Sequence, residues 1–253
     1  MVHGQGQDEY VAVKQLHPFI VYQMQTVSPP LVSVLLRSID RPELPRALAA
    51  IESQTYRPIE IVFVDAAATG LTLEGRTALP VVLVSPRERL PRSPAMNAAM
   101  DAARGQWIII LDEDDSWDSG HVADLVALAQ SSNAGVVYSQ TKLVDNEDRL
   151  IRLLGGPFRR ELLIRSNYLS INAVLFSRRF IDLGQRYDLS YEIFEDWDFW
   201  MQLLQHGDFA YTGNATASYY PAAGSSQGGG GANLDRELAL RQRDKLVRKW
   251  GAN

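Results

Sequence analysis

Short apolar segments that each stop on polar residues set the architecture this chain can adopt. Residues 31–36, 58–64, 79–84 and 107–111 read as buried strands, and residues 42–54 and 93–103 read as helices between them. Asp40 is a candidate cap for the first helix, with Pro42 near its first turn. Strands alternating with helices require a mostly parallel central sheet flanked by helices and joined by right-handed crossovers. Ligands of such sheets bind at the carboxyl ends of the strands. There this sequence places Arg37-Ser38-Ile39-Asp40-Arg41 after strand one, Asp65 after strand two and Asp112-Glu113-Asp114-Asp115 after strand four. Three strands thus deliver polar groups to one edge.

The second half is less regular. Residues 121–130 and 195–205 read as helices, and residues 135–140, 172–176, 209–211 and 217–220 as strands. Residues 224–231 are nearly all glycine and serine, which predicts a flexible loop. Residues 234–250 follow as a closing amphipathic helix whose mixed charge predicts solvation. Residues 1–29 are expected as a lead-in segment with a short helix over 9–16. Residues 30–222 are expected as the main domain, split into halves at 30–118 and 119–222, and 223–253 as the loop and last helix.

The 253 residues are ample for a real core, and a formal net charge of -5 argues against a broad nucleic-acid-binding surface. The absence of cysteine excludes disulfides and thiolate metal sites. No apolar stretch approaches the roughly 18 residues that span a bilayer. The segment MVHGQGQDEY lacks the basic-then-apolar order of a secretory signal. A soluble cytoplasmic protein is expected, with peripheral contact at the inner face of a membrane left open.

Four adjacent carboxylates after a buried strand repel one another, so a compensating positive charge is expected beside them. Oxygen ligands on a turn suit Mg2+ or Mn2+, completed by water and substrate phosphates. The plainer reading is a solvated acidic turn leading into a helix. Glu195-Asp196-Trp197-Asp198-Phe199-Trp200 likewise has two readings. The acids favour a helix start while the tryptophans fill the core. Alternatively, a packed helix holds a carboxylate rigidly enough to act as a general base. Asp65 could cap a turn or accept hydrogen bonds from a base or ribose. Arg37 and Arg41 could bind phosphate or lie on the surface. His121 and His206 read as structural or exposed rather than as ligands. No G-x-G-x-x-G, P-loop or G-x-S-x-G is present.

Three stretches in order, PPLVSVLLRSIDRPELPRALAAIESQTYRPIEIVFVD, SPAMNAAMDAARGQWIIILDEDDSW and YEIFEDWDFWMQLLQHG, resemble the family 2 glycosyltransferases. The resemblance covers about residues 30–220. It implies the GT-A fold, a Rossmann-like, mostly parallel (mixed) sheet. It also implies a nucleotide-sugar donor, UDP-sugar first, a Mn2+ or Mg2+ cofactor, and inverting transfer to a glycan or lipid-linked glycan acceptor. Position by position, it places Ser38 and Arg41 in the first nucleotide loop and matches Asp65 to the acid that reads the base. Asn97 matches the asparagine of the A-R-N stretch. Asp112 and Asp114 match the two acids of D-x-D, with Glu113 between them at the nucleotide. Asp196 matches the catalytic base, with Glu195 beside it.

The sequence departs from the family pattern at Ala66, where a second acid is common, at Met96, the arginine of A-R-N, and at Arg37, the usual proline. The stretch SYYPAAGSSQ lacks the histidine that many members offer the metal. Ala66 and Met96 keep a catalytically weak or inactive sugar-nucleotide-binding module in view. A nucleotidyltransferase would need a glycine-rich loop that RSIDRPEL lacks. A homodimer stays open.

Overall fold

The computed structural model describes residues 9–16, 19–25, 28–145, 147–221 and 236–251. The chain divides into two compact units, Met1–Pro30 and Leu31–Asn253. In the first, β1 (Glu9–Leu16) and β2 (Phe19–Gln25) form an antiparallel hairpin, with a register irregularity between Ala12 and Lys14. The helix expected over 9–16 is therefore a strand. Val11 and Val13 favour an extended chain, and Phe19-Ile20-Val21-Tyr22 supplies an equally β-prone partner.

The second unit is built on a nine-stranded sheet. Its first half comprises β3 (Val32–Ser38), α1 (Leu44–Glu52), β4 (Ile59–Asp65), β5 (Val81–Val84), α2 (Arg92–Ala102) and β6 (Trp107–Asp112). The four strands run parallel in the order β5-β4-β3-β6. β4 is buried along its whole length and β3 along nearly all of it, which is why both read as unbroken apolar runs. Asp40 does not cap α1. It takes a left-handed φ of 66°, Glu43 holds the cap position, and Pro45 rather than Pro42 lies in the first turn.

The second half adds β7 (Ser116–Trp117), α3 (His121–Ser132), β8 (Val136–Val144), β9 (Leu150–Leu154) and α4 (Arg160–Arg165). A 3-10 turn (Ile171–Ala173), β10 (Val174–Ser177), α5 (Arg179–Asp182), α6 (Glu195–Leu204), β11 (Ala210–Tyr219) and α7 (Arg236–Trp250) follow. β10 lies antiparallel between β6 and β8, and β11 runs parallel to β8. β7 and β9 are antiparallel to their neighbours. Six strands thus share one direction and three oppose it. The two short strands expected near 209–220 are one strand, interrupted where Gly213 takes a φ of 82°.

Side-chain alternation sorts the core into two layers. Val32, Val34 and Leu36 of β3, with Ile109 and Leu111 of β6, pack with residues of α1 and α3. Leu35, Ile108 and Ile110 face the other side and pack with α2, α6 and Leu246 of α7. Carried one step further, this period puts Arg37 and Asp112 at the strand ends on the α2–α6 side, and Ser38 on the opposite side. α7 is not a plain solvated helix. Lys249 reaches Asp198 at 2.8 Å and the Trp250 indole N–H donates to the same carboxylate at 2.8 Å. The loop expected over 224–231 lies outside the described residues.

Candidate active site

Each acid after β6 has its own partner. The chain turns there through a backbone bond from Asp115 N–H to the Asp112 carbonyl. Asp112 pairs with Arg92, the first residue of α2. Glu113 is buried and turned the other way: its carboxylate accepts from Ser38 Oγ at 2.5 Å, Ile39 N–H at 3.0 Å and Arg41 N–H at 3.2 Å. Asp114 takes Arg41 Nη1 at 2.6 Å, and its carbonyl accepts from Arg46, whose guanidinium lies over the Tyr220 ring. Asp115 points inward to Asn172 Nδ2 at 2.9 Å. Burial, followed by the charges of Asp112 and Asp114, holds the Asp115 carboxyl well above the usual range. Burial also raises Asp114, helped by Asp112 and opposed by Arg41. The positive charge expected beside the cluster is supplied by arginines of the chain itself.

This geometry bears on four residues expected at the nucleotide. Ser38 and Glu113, expected at the nucleotide, are bonded to each other and shape the 38–41 loop, and Glu113 also lines the cavity. Asp65 is fully buried, and its carboxylate accepts from Gly70 N–H at 2.7 Å, Leu71 N–H at 3.1 Å and Thr69 Oγ at 3.3 Å. These bonds cap the turn at residues 69–71. Asn97 does not line the cavity; its side-chain amide bonds both backbone groups of Tyr187, each at 2.9 Å. Met96 is buried in the core one helical turn after Arg92.

A cavity of about 160 Å³ opens at the carboxyl edge, lined by Arg37, Ile39, Arg41, Arg92, Asp112, Glu113 and Asp114. Arg92 of this lining also has Nε 3.3 Å from Glu195 Oε1. Glu195 is buried, and Asp196 follows it at the start of α6. Asp196 Oδ2 accepts from Asn167 Nδ2 at 3.0 Å and Oδ1 from Trp197 N–H at 2.7 Å. Burial raises both carboxyls, and the Arg92 charge pulls both back down. Arg37 is pushed down by burial and by the charges of Arg92 and Arg41, against the pull of Asp112 and Glu113.

Asp112 and Asp114 face one cavity from positions two apart, each partly open to solvent. Two such carboxylates, with water and phosphate oxygens, make a donor set that suits Mg2+ or Mn2+. Among the described residues no group of three or more potential metal-binding side chains occurs.

Sequence reasoning missed Arg92, although a signal was present: a cation at the first position of a helix opposes the dipole and requires acids to hold it. It also missed Asn167 and Asn172, one before and one within the 3-10 turn, which only the fold brings to the acids. His121 is structural, stacked on Trp117 at 5.0 Å with Nδ1 2.6 Å from Thr216 Oγ1.

A family model, Glycosyl transferase family 2, matches residues 34–197. A PGL/p-HBAD biosynthesis glycosyltransferase of Mycobacterium bovis is 25% identical over 242 residues, covering 87% of this chain and 91% of that protein. The succinoglycan biosynthesis protein ExoO of Rhizobium meliloti is 28% identical over 174 residues, 60% of this chain and 49% of that one. The mannosyltransferase PcManGT from Pyrobaculum calidifontis, solved with GDP-Man and Mn2+, gives a TM-score of 0.65 at 19% identity. That match covers 87% of this chain and 65% of the other. S. aureus TarS 1–349 with UDP-GlcNAc gives 0.64 at 15% identity, over 87% of this chain and 71% of TarS. In the TarS 1–349 structure solved alone, the chain spans 60% of the length. At these identities the likeness is one of fold, and that fold is GT-A.

Proposed function

Because the chain belongs to glycosyl transferase family 2, and is a glycosyltransferase, we propose that it moves a sugar from a nucleoside-diphosphate donor to an acceptor hydroxyl with inversion, using Asp196 as general base. One observation carries this reading. Arg92, which lines the cavity at the sheet's carboxyl edge, pairs with Asp112 of the two-carboxylate turn and with Glu195, the neighbour of Asp196. A donor diphosphate and an acceptor hydroxyl need such a pair of sites within reach of one another.

Asp112 and Asp114 would hold a divalent cation, which when bound offsets charge on the leaving diphosphate. Asn167 and the Trp197 N–H orient the Asp196 carboxylate, and its raised pKa strengthens it as a base. Asp196 takes the acceptor's proton as that oxygen bonds to the anomeric carbon. The bond from that carbon to the diphosphate oxygen breaks, and its electron pair leaves with the nucleotide. Glu195 beside it stays paired to Arg92 and keeps that guanidinium in place.

The solved structures with UDP-GlcNAc and GDP-Man support a sugar nucleotide as donor, with UDP proposed first. The names of the Mycobacterium and Rhizobium relatives support a glycan or lipid-linked glycan acceptor in polysaccharide or glycolipid assembly. No helix among the described residues is long and apolar enough to cross a membrane.

The test is calorimetric binding of UDP, GDP, dTDP and CDP with and without Mn2+, on wild type and Asp114→Ala. Binding of one nucleotide, strengthened by Mn2+ and with that gain lost in the variant, is expected. No binding of any would overturn the donor site. A second reading, nucleotide binding without turnover, rests on Ala66 and Met96, where the family pattern has an acid and an arginine. Transfer from a donor panel to sugar acceptors decides between the two.

A further inference from the structure

Resting on the donor site just described, we infer that Arg37 grips the donor's diphosphate directly, and that it does so without needing the divalent cation. Arg37 ends β3 beside Asp112 of β6 and lines the cavity. Three guanidinium groups converge there with three carboxylates, but the pairing is uneven. Arg92 is paired to Asp112 and Glu195, and Arg41 to Asp114. Glu113, the remaining acid of the lining, is committed to Ser38 and the backbone N–H groups of Ile39 and Arg41. Arg37 is left over: its Nε is buried and meets no hydrogen-bond acceptor among the described residues.

A buried donor without an acceptor is costly, and more so when it belongs to a cation beside two others. The missing partner is therefore an anion with several acceptor oxygens, and a planar guanidinium matches the paired oxygens of a phosphate group. The pattern of strand alternation explains the placement. Arg37 lies on the same side of the sheet as Leu35, toward α2 and α6, where Arg92 and Glu195 also lie. An anion bridging Arg37 and Arg41 would face the catalytic pair rather than the α1 layer.

The experiment is titration calorimetry of UDP, GDP, uridine and inorganic pyrophosphate in EDTA and again in Mn2+, on wild type, Arg37→Gln and Arg37→Lys. One nucleoside diphosphate and pyrophosphate are expected to bind wild type in EDTA, with uridine far weaker. Arg37→Gln should weaken that binding about 10-fold or more, the scale of one charge-assisted hydrogen bond, with Arg37→Lys between. Thermal unfolding of Arg37→Gln should be no lower than wild type, since the change relieves crowding of like charges. A wild type that binds only with Mn2+, or an Arg37→Gln that binds as wild type does, overturns the inference and leaves the glycosyltransferase reading standing. Absence of nucleotide binding in both buffers overturns both.

Discussion

Arg92 Nε lies 3.3 Å from Glu195 Oε1 while the other end of the same guanidinium holds Asp112, so one side chain joins the turn after β6 to the start of α6. Replacing it with methionine keeps the volume and leaves the buried Glu195 and the partly exposed Asp112 without their counter-ion. Breaking a buried pair from one side costs roughly 3–5 kcal/mol. Arg92→Met should lose about that much in chemical denaturation, and Arg92→Met with Glu195→Gln should recover part of it. A loss below about 1 kcal/mol would mean that solvent already screens the pair.

Asp196 is proposed to take the proton, and its two oxygens are held by Asn167 and by a backbone N–H. Asparagine at 196 keeps one of the two bonds through its carbonyl oxygen and turns its amide nitrogen toward the other donor, so the fold should persist with a modest loss of stability. Transfer should fall by about 100- to 10,000-fold, the range of a general base, with nucleotide affinity within about threefold of wild type. Undiminished turnover would remove Asp196 from the chemistry.

Glu113 accepts from one hydroxyl and two backbone N–H groups of the 38–41 loop. Glu113→Gln sets an amide donor against those donors. A loss of roughly 2–3 kcal/mol in stability is expected, with nucleotide binding weakened because the loop shifts. Lost affinity with unchanged unfolding would instead mean that Glu113 touches the nucleotide itself.

The first half of the sheet was legible because its strands are buried on both faces, and such strands are written as continuous apolar runs. β9 was not: Leu150, Ile151 and Leu153 are exposed, so its apolar character reflects no core face. β11 was split in two because Gly213 and Asn214 break the strand pattern while the chain continues through the interruption. In the site, the acids were visible as residue types, but their directions were not. Glu113 and Asp115 belong to the same turn as Asp112 and Asp114 yet are bonded to partners 75 and 57 residues distant in sequence. Arg92 was hidden because its two partners lie on different elements.

His121 sits fully buried against Trp117 and Thr216, and burial pushes its pKa from 6.5 down to about 3. Between those values the unfolded chain binds a proton that the native state refuses. Stability from this residue is therefore complete above about pH 6.5 and is lost as pH falls toward 3. Glu195 and Asp196, whose pKa values are raised, act in the opposite direction, since their native forms hold protons that the unfolded chain releases. The difference between wild type and His121→Gln isolates the histidine. Denaturation midpoints from pH 7 to 4 should show the wild type losing on the order of 3 kcal/mol relative to the variant across that window. Parallel pH profiles for the two proteins would show that the imidazole is already solvated in the folded state.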